Sequence, residues 1–335
     1  MKDPKISIIT PSFNRKHLIE KLVESIRGQS YQNWELLIVD DDSSDGTVNH
    51  LTKLYKQDPR IIIAKRKSQI KGANPCRNEG LRMATGAYLM FLDSDDLLFP
   101  YCLEQRSKQA EKFGNYDFLV FNGVFGDAKG SPSDILWNIE TNESHLSRFI
   151  KSDSVWSISG GLFKTSFLHE REILFDESLA RHQDVDFHIQ VLLNTSNYRS
   201  LLYMQPDYIV RRHGVASISQ KTNADFSLSG AKIAGKLYPQ RETRLYEFKE
   251  LVEGKFFFET NHLLLRKHIK RAFRLVHEHK LNFSNSFFLF AFWIYSALSL
   301  KFFKSFPRSS FNLSVWRAII NFEKRETNIG KHRLS

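Results

Sequence analysis

Residues 88–96 read YLMFLDSDD, an apolar run that passes directly into acidic residues. Residues 34–42 read WELLIVDDD and repeat this arrangement earlier in the chain. Short apolar runs of this kind favour buried strands, so we predict strands at Trp34–Val39 and Tyr88–Leu92. Each of these two strands is expected to end in a cluster of carboxylates.

Strands and helices alternate around these two runs. Further strands are predicted at Lys5–Thr10 and Arg60–Ala64, and Pro11 is expected to end the first of them. The spacing of apolar residues predicts helices at His17–Arg27, Thr47–Gln57 and Arg77–Ala84. This alternation is typical of an α/β fold with a parallel sheet. The pattern becomes mixed after about residue 115 and mainly helical after about residue 230.

The composition is that of a globular enzyme-sized protein. Of the 335 residues, 41% are hydrophobic and 25% are charged, which disfavours a disordered, collagen-like or coiled-coil chain. Two cysteines, Cys76 and Cys102, cannot form a disulfide framework or a four-ligand zinc site. A strand pattern begins within the first ten residues without a signal-peptide pattern, so a reducing, cytoplasmic setting is expected.

The net charge of +11 comes from the end of the chain. Residues 1–260 hold 34 basic and 34 acidic residues, whereas residues 261–335 hold 14 basic and 3 acidic ones. The same end contains residues 281–300, which carry no charge and are rich in aromatic side chains. Basic flanks around such a segment favour the anionic surface of a membrane over nucleic acid, and no nucleic-acid partner is expected.

Three environments are open for the apolar segment at residues 281–306. Its densest part, Phe287–Leu300, is shorter than the roughly 20 residues that a membrane-spanning helix needs. A peripheral contact with the inner face of the cytoplasmic membrane is therefore favoured over a span. Burial in the protein's own core and a homo-oligomer interface are the alternatives.

The acidic clusters at Asp40–Asp42 and Asp93–Asp96 indicate a cation site. Neighbouring carboxylates repel one another unless a cation neutralises them. Asp93 and Asp95 share one side of an extended segment, and such a pair suits Mg²⁺ or Mn²⁺, which also bind substrate phosphates. Either cluster alone is more typical of a turn or helix cap. Because both follow neighbouring strands, whose carboxyl ends face the ligand in open α/β sheets, a ligand site is favoured.

Other phosphate-binding and catalytic motifs are absent from the sequence. It contains no GxxxxGK[ST], no GxGxxG after the first strand, no HExxH and no GxSxG. These absences disfavour a P-loop NTPase and a dinucleotide-binding enzyme. The type of phosphate site that remains is one in which a carboxylate-bound metal holds a nucleoside diphosphate.

Four segments together resemble the family 2 glycosyltransferases, which have the GT-A fold. They are ISIITPSFNR (6–15), WELLIVDDDSSDGT (34–47), GANPCRNEGLRMATGAYLMFLDSDD (72–96) and HQDVDF (182–187). The resemblance extends over residues 5–220 and implies a GT-A domain at residues 1–230, with a Rossmann-like mixed sheet flanked by helices. Residues 231–335 would form a mainly helical, basic and aromatic-rich extension.

The resemblance implies roles in donor and metal binding. Phe13 would stack on the nucleobase, Pro11 would shape the loop around it, and Asp41 would accept a hydrogen bond from the imide N–H of uracil or thymine. The other residues implied in nucleotide-sugar binding are Gly72, Arg77, Asn78, Asp93, Ser94 and Arg212. The implied metal ligands are Asp93, Asp95 and His213.

The resemblance also implies a catalytic base at Asp184. The family usually has an acidic pair at this point, and here Gln183 replaces its first member. Asp184 is therefore the sole candidate to take the proton of the acceptor hydroxyl. The alternative for Asp184 is a negative charge that stabilises the N-terminus of a helix.

The implied activity is the inverting transfer of a sugar from a nucleoside-diphosphate donor, with UDP favoured, to a hydroxyl of a saccharide or lipid-linked acceptor. Synthesis of a bacterial surface polysaccharide is the expected setting. The QxxRW motif of processive synthases is absent, which favours a single addition. A nucleotidyltransferase is an alternative, although residues 9–16 lack its glycine-rich basic loop. A second alternative is a non-catalytic nucleotide-sugar-binding protein at the membrane.

Overall fold

The computed structural model describes residues 2–212, 224–265 and 332–333. Within these residues the helices are α1 (Ile19–Arg27), α2 (Thr47–Tyr55), α3 (Ala73–Met83), α4 (Cys102–Lys112), α5 (His145–Ile150), α6 (Thr165–Glu170), α7 (Gln183–Asn194), α8 (Ala224–Leu237) and α9 (Lys249–Leu265). The strands are β1 (Ile6–Ser12), β2 (Trp34–Asp40), β3 (Ile61–Lys65), β4 (Tyr88–Phe91), β5 (Leu97–Leu98), β6 (Phe118–Val120), β7 (Gly123–Gly126), β8 (Pro132–Leu136), β9 (Gly161–Lys164), β10 (Tyr198–Ser200), β11 (Tyr208–Arg211) and β12 (His332–Arg333).

The main sheet has β1 near its centre. The strand order in the described residues is β10-β6-β9-β4-β1-β2-β3, and β9 alone runs antiparallel to both of its neighbours. Strand β1 pairs in parallel with β2 from Ile6 opposite Trp34, and with β4 from Ile6 opposite Tyr88. The predicted alternation of strands and helices in the first hundred residues is therefore confirmed.

Pro11 does not end the first strand, contrary to the prediction. Strand β1 continues to Ser12, and Pro11 pairs with Val39 of β2. Strand β4 pairs only with Ile6–Ile9, so the last part of β1 has a neighbouring strand on one side. Proline is tolerated at such a position because the N–H that it lacks can be the one that would point to the open side.

Two hydrophobic cores lie on the two faces of the main sheet. Successive side chains of a strand point to opposite faces, so Ile8 and Leu36 belong to one core and Ile9 and Leu37 to the other. Helices cover both faces, which explains why the strands are apolar over nearly their whole length. A ligand can therefore reach the sheet at its edge, where the loops that follow the strands lie.

A second sheet has the order β12-β8-β7-β11-β5 in the described residues, and a buried ion pair joins it to helix α4. Arg106 of α4 donates to the two carboxylate oxygens of Asp207 at 2.8 and 2.7 Å, and neither side chain is exposed. Because Asp207 directly precedes β11, this pair fixes the position of that strand. Charged pairs of this geometry are stable in an interior only when both partners are present.

The helices α8 and α9 pack on the same body as the sheet. Ile233 and Val252 belong to the hydrophobic core that also contains Phe91 and Phe163. The boundary predicted at residue 230 falls inside α8. In the part of the chain that the structure describes, no helix is long and apolar enough to cross a membrane. The segment 281–306 lies outside the described residues.

Candidate active site

The loops after β1 and β2 are joined to each other at the carboxyl edge of the main sheet. The Oδ1 atom of Asn14 accepts a hydrogen bond from the backbone N–H of Ser44 at 2.8 Å. The backbone N–H of Arg15 donates to Oγ1 of Thr47 at 3.2 Å. These bonds hold Phe13 in place with half of its surface (51%) exposed. A large aromatic ring kept in solvent at this edge offers a flat face to a planar ligand.

Asp41 is buried at the end of β2, where its backbone N–H donates to the Ser12 carbonyl at 2.8 Å, and both of its carboxylate oxygens have protein partners. Oδ1 accepts a hydrogen bond from Nε of Arg66, and Oδ2 accepts one from the backbone N–H of Gly72 at 2.9 Å. Gly72 has φ +132°, a conformation that residues with a side chain rarely adopt. Each carboxylate oxygen accepts up to two hydrogen bonds, so Asp41 can still accept one from a ligand.

Arg66 is a member of this site that the sequence analysis missed. Its guanidinium donates to Asp41, to the Ser68 carbonyl and, at 2.6 Å, to Asp42. It directly follows β3, so it lies at the same carboxyl edge as the acidic clusters. Its position after the third strand was the signal that could have identified it.

The acidic loop after β4 is fixed from two directions by cationic side chains. Asp93 accepts a hydrogen bond from Nη2 of Arg77 at 2.6 Å, and the backbone carbonyl of Asp95 accepts one from Nε of Arg211. Asp96 is buried and accepts a bond from the Ser159 hydroxyl at 3.0 Å. Burial raises the pKa of the Asp96 carboxyl well above its usual range, and the charges of Asp95 and Asp93 add to this. Protonation of Asp96 is thus favoured, and the negative charge of the loop lies mainly on Asp93 and Asp95.

Arg77 connects this acidic loop to the start of helix α7. Besides Asp93, its guanidinium donates from Nη1 to Oε1 of Gln183 at 3.0 Å and to Oδ1 of Asn74 at 3.2 Å. Gln183 therefore contacts Arg77 without a charge, at the position where the resemblance implies a carboxylate. The contact places the first turn of α7 beside the acidic loop.

Asp184 lies in this first turn of α7 and is half-buried. Burial raises the pKa of its carboxyl, and the negative charge of Asp93 adds to this, whereas Arg77 opposes it. A carboxylate whose pKa is raised, and which lies next to a second charged group at a cleft, suits general-base chemistry. The residue before the helix, His182, has φ 53°, so a left-handed backbone turn precedes the helix.

Three other predicted residues have different surroundings in the structure. The Asn78 side-chain amide is buried and bonds to the backbone N–H and C=O of Phe175, at 2.8 and 2.9 Å, so it ties α3 to the segment before α7. The Arg212 guanidinium lies over the ring of Phe125 at 3.8 Å, and its contact with a diphosphate stays a prediction. The Ser94 side chain is buried within the acidic loop.

The predicted metal site is partly outside the described residues, because His213 is not among them. Within the described chain, no group of three or more His, Cys, Asp or Glu side chains could hold a metal ion. The donor set that remains is Asp93, whose side chain is 37% exposed, and Asp95. Two carboxylates fit Mg²⁺ or Mn²⁺ provided that the substrate supplies further oxygens, as phosphates do for these ions.

Comparison with known sequences decides the family. The model of "Glycosyl transferase family 2" matches residues 7–174, which include Phe13, Asp41, Arg77 and the acidic loop. The chain belongs to glycosyl transferase family 2. The family 2 resemblance predicted from the sequence is thereby confirmed, and a nucleotidyltransferase receives no support.

Two bacterial relatives of this family 2 chain differ in how much they share with it. It is 38% identical over 144 residues to an Escherichia coli enzyme, the UDP-Glc:alpha-D-GlcNAc-diphosphoundecaprenol beta-1,3-glucosyltransferase WfgD. That match covers 41% of this chain and 55% of the relative. It is 29% identical over 289 residues to the poly(ribitol-phosphate) beta-N-acetylglucosaminyltransferase TarP of Staphylococcus aureus, with 84% of this chain and 83% of TarP covered.

Solved structures show the same fold as this family 2 chain. TarS of S. aureus in complex with UDP-GlcNAc superposes with a TM-score of 0.59 at 19% identity, covering 78% of this chain and 80% of that one. A mannosyltransferase of Pyrobaculum calidifontis with GDP-Man and Mn²⁺ superposes with a TM-score of 0.51 at 16% identity, covering 96% and 87%. The predicted α/β GT-A fold, with a mixed sheet flanked by helices, is confirmed.

Proposed function

We propose that this chain transfers a sugar from a UDP-sugar donor to a hydroxyl of a saccharide or lipid-linked acceptor, with inversion. The observation that carries the proposal is the guanidinium of Arg77, which bonds to Asp93 on one side and to Gln183 on the other. These contacts bring the predicted donor-binding loop next to the first turn of α7, which carries the predicted base Asp184. Transfer requires this arrangement, because the donor and the acceptor oxygen must meet within about 3–3.5 Å.

Donor binding is assigned to the ends of β1 and β2. The exposed ring of Phe13 stacks on the base, beside Pro11. Asp41 accepts a hydrogen bond from the imide N–H of the base, because the bonds from Arg66 and Gly72 leave carboxylate lone pairs unused. Uracil and thymine have such an N–H, whereas cytosine presents an acceptor at the same ring position. The naming of WfgD as a UDP-Glc enzyme supports a uridine donor for this chain.

The diphosphate is assigned to the acidic loop. Asp93 and Asp95 would hold a Mn²⁺ or Mg²⁺ ion, and His213 is a third candidate ligand. When bound, such an ion supplies positive charge for the departing diphosphate. Arg77 and Arg211 hold the loop in the required position through Asp93 and the Asp95 carbonyl.

Asp184 performs the proton transfer. Its carboxylate takes the proton of the acceptor hydroxyl while that oxygen attacks C1 of the sugar from the face opposite the leaving group. One displacement forms one glycosidic bond, breaks the bond to the diphosphate and inverts the anomeric centre. A raised pKa makes Asp184 a stronger base than an ordinary aspartate, which supports this role.

The acceptor is assigned to the bacterial cell envelope. WfgD acts on a diphosphoundecaprenol-linked sugar and TarP on poly(ribitol phosphate), which supports a glycan or lipid-linked acceptor in this chain. The basic, apolar end of the sequence favours docking at the inner face of the cytoplasmic membrane, a homo-oligomer contact being the alternative. Removal of residues 281–306 should then release the protein from anionic liposomes, whereas unchanged sedimentation would reject the docking.

A donor panel tests the proposed function. UDP-, dTDP- and GDP-sugars are titrated with and without Mn²⁺, and binding and slow hydrolysis are followed. We expect Mn²⁺-dependent affinity for a uridine sugar, lost in Asp95→Asn and retained in the exposed control Glu170→Gln. Failure of every nucleotide sugar to bind in the presence of Mn²⁺ would reject the proposal.

A further inference from the structure

Lysine 236 bridges two carboxylates that flank the predicted base. Its Nζ atom lies 2.5 Å from Oδ2 of Asp176 and 2.9 Å from Oδ1 of Asp186. Asp176 lies in the segment before α7, and Asp186 follows Asp184 in the first turns of that helix. One ammonium group on α8 therefore holds both ends of the stretch that carries Asp184.

Further contacts join α8 to the same stretch. The hydroxyl of Ser229 accepts a hydrogen bond from the backbone N–H of Arg181 at 3.1 Å. Nζ of Lys232 donates to the backbone carbonyl of Ser178 at 2.9 Å. The segment 176–186 thus lies along α8 and is bonded to it through its backbone as well as its side chains.

Helix α9 contributes a positive charge that acts on His182, the residue before α7. Lys255 is buried and donates to the Ser152 hydroxyl at 2.9 Å. Burial lowers the pKa of the His182 imidazole to about 3, and the positive charges of Lys255 and Arg181 act in the same direction. His182 is therefore neutral at physiological pH, and the turn before α7 does not change its charge there.

The Lys236 bridge differs from a surface ion pair because one of its partners is buried. The Asp186 side chain is 4% exposed, and it also accepts a hydrogen bond from Gln190 at 2.8 Å. Burial raises the pKa of the Asp186 carboxyl, and the charge of Lys236 opposes this rise. Removal of Lys236 would leave a buried carboxylate near Asp176 without a cation, which the fold can relieve only by protonation or by movement of α7.

We propose that Lys236 is a positioning residue for Asp184, a role that rests on the proposed sugar transfer. It acts through Asp176 and Asp186 and does not touch the reactants. The residues predicted to contact the base, Phe13 and Asp41, follow β1 and β2 and lie on other elements, so we expect this bridge to affect UDP affinity less than it affects kcat. Helix α8 then helps to position the catalytic base.

The test compares Lys236→Met, Lys236→Arg and Asp176→Asn with the wild-type protein. The matched control is Lys108→Met, which removes a lysine from an exposed pair with Glu104 on α4. The readouts are kcat, the donor KM, UDP affinity by calorimetry, and amide hydrogen exchange of the peptide that spans α7. Asp176→Asn keeps the pair between Lys236 and Asp186, so it remains informative if Lys236→Met fails to fold.

For Lys236→Met we expect a fall in kcat of about 10- to 100-fold, since small displacements of a catalytic group have effects of this size. The donor KM and UDP affinity stay within about twofold. Exchange in α7 becomes faster. Lys236→Arg should retain the wild-type kcat and the wild-type protection of α7 from hydrogen exchange, because a guanidinium can also bridge two carboxylates. The kcat of Asp176→Asn should lie between those of Lys236→Met and the wild type. The kcat of Lys108→Met should equal the wild-type value.

Two results would overturn the role of Lys236. One is a wild-type kcat and unchanged exchange in both Lys236→Met and Asp176→Asn. The other is a loss of UDP affinity that parallels the loss of kcat, which would indicate general misfolding. If wild-type protein neither transfers nor hydrolyses any nucleotide sugar, the proposed function fails, and hydrogen exchange still decides whether Lys236 holds α7.

Discussion

Replacement of Asp184 by Asn should separate catalysis from donor binding. Asp184 is half-buried in the first turn of α7, whereas the predicted base-binding residues Phe13 and Asp41 follow β1 and β2. Loss of a general base lowers kcat by about 10²- to 10⁴-fold, equivalent to roughly 2.7–5.5 kcal/mol of activation free energy. UDP affinity should remain within about twofold of the wild type, because the substitution leaves the nucleotide contacts in place. A UDP-release assay and calorimetry measure the two quantities.

The pH dependence supplies an independent signature of the same residue. Burial and Asp93 raise the pKa of the Asp184 carboxyl, and only its ionised form can accept a proton. The wild-type kcat should therefore fall as the pH decreases through this raised pKa. This fall in kcat at low pH should be absent from the residual activity of Asp184→Asn, because the variant has no carboxyl to titrate at this position.

Stability should change in the opposite direction to activity. A carboxyl whose pKa is raised by folding favours the native state at low pH, and this contribution is lost as the pH rises through the native pKa. Asp184→Asn avoids that loss, so at neutral pH its free energy of unfolding should equal or exceed that of the wild type. Urea unfolding below pH 3.8, the ordinary pKa of an Asp carboxyl, and again at about pH 8 measures the difference.

The exposed carboxylate Glu170 provides the control, since Glu170→Gln should leave kcat, the pH profile and stability unchanged. The assignment of Asp184 as base would be refuted if Asp184→Asn retained more than about a tenth of the wild-type kcat, because a general base contributes at least 10²-fold. Loss of UDP affinity in the same variant would instead place Asp184 in donor binding.

Three further substitutions have defined outcomes. Phe13→Ala should weaken UDP binding by about 1–3 kcal/mol, the value of one stacked base, and a calorimetric change below this range would argue against stacking. Arg106→Met should lower the free energy of unfolding by about 3–5 kcal/mol, because Asp207 is left buried and unpaired; in urea, a loss below about 1 kcal/mol would contradict this. Arg211→Met removes the bond to the Asp95 carbonyl and should weaken Mn²⁺-dependent UDP binding by about 1.5–3 kcal/mol while metal-free binding is unchanged; equal losses in both titrations would count against it.

Local sequence signals were sufficient for the parts of the site that follow a strand. The runs before Asp41 and Asp93 are nearly continuous in apolar residues, so the strands and the acidic loops after them could be located without tertiary information. Arg66 follows β3 in the same way and could have been found by this reasoning. The prediction that Pro11 ends the first strand was wrong, because the rule against proline in a central strand assumes that the strand is paired on both sides.

Residues that act across large sequence separations could not be predicted. Arg211 reaches the Asp95 carbonyl 116 positions away in sequence, and Lys236 reaches Asp186 50 positions away. The segment around Lys236 carries no motif, and Arg211 directly precedes the predicted Arg212 and His213 without having a predicted role of its own. A basic residue at the end of a strand or on a helix is most often a solvated charge. Only the packing of β11 and α8 against the sheet brings them to the site.

The position of Arg77 makes the acidic loop and the start of α7 interdependent under mutation. One guanidinium serves Asp93 and Gln183, and a change at either of these residues alters how firmly it is held for the other. Substitutions in the acidic loop and at the start of α7 will therefore have effects that do not add, and their order of introduction will decide which intermediates are active. An engineered change at Asp93 in this enzyme should therefore be assessed together with Gln183, because the same guanidinium holds both side chains.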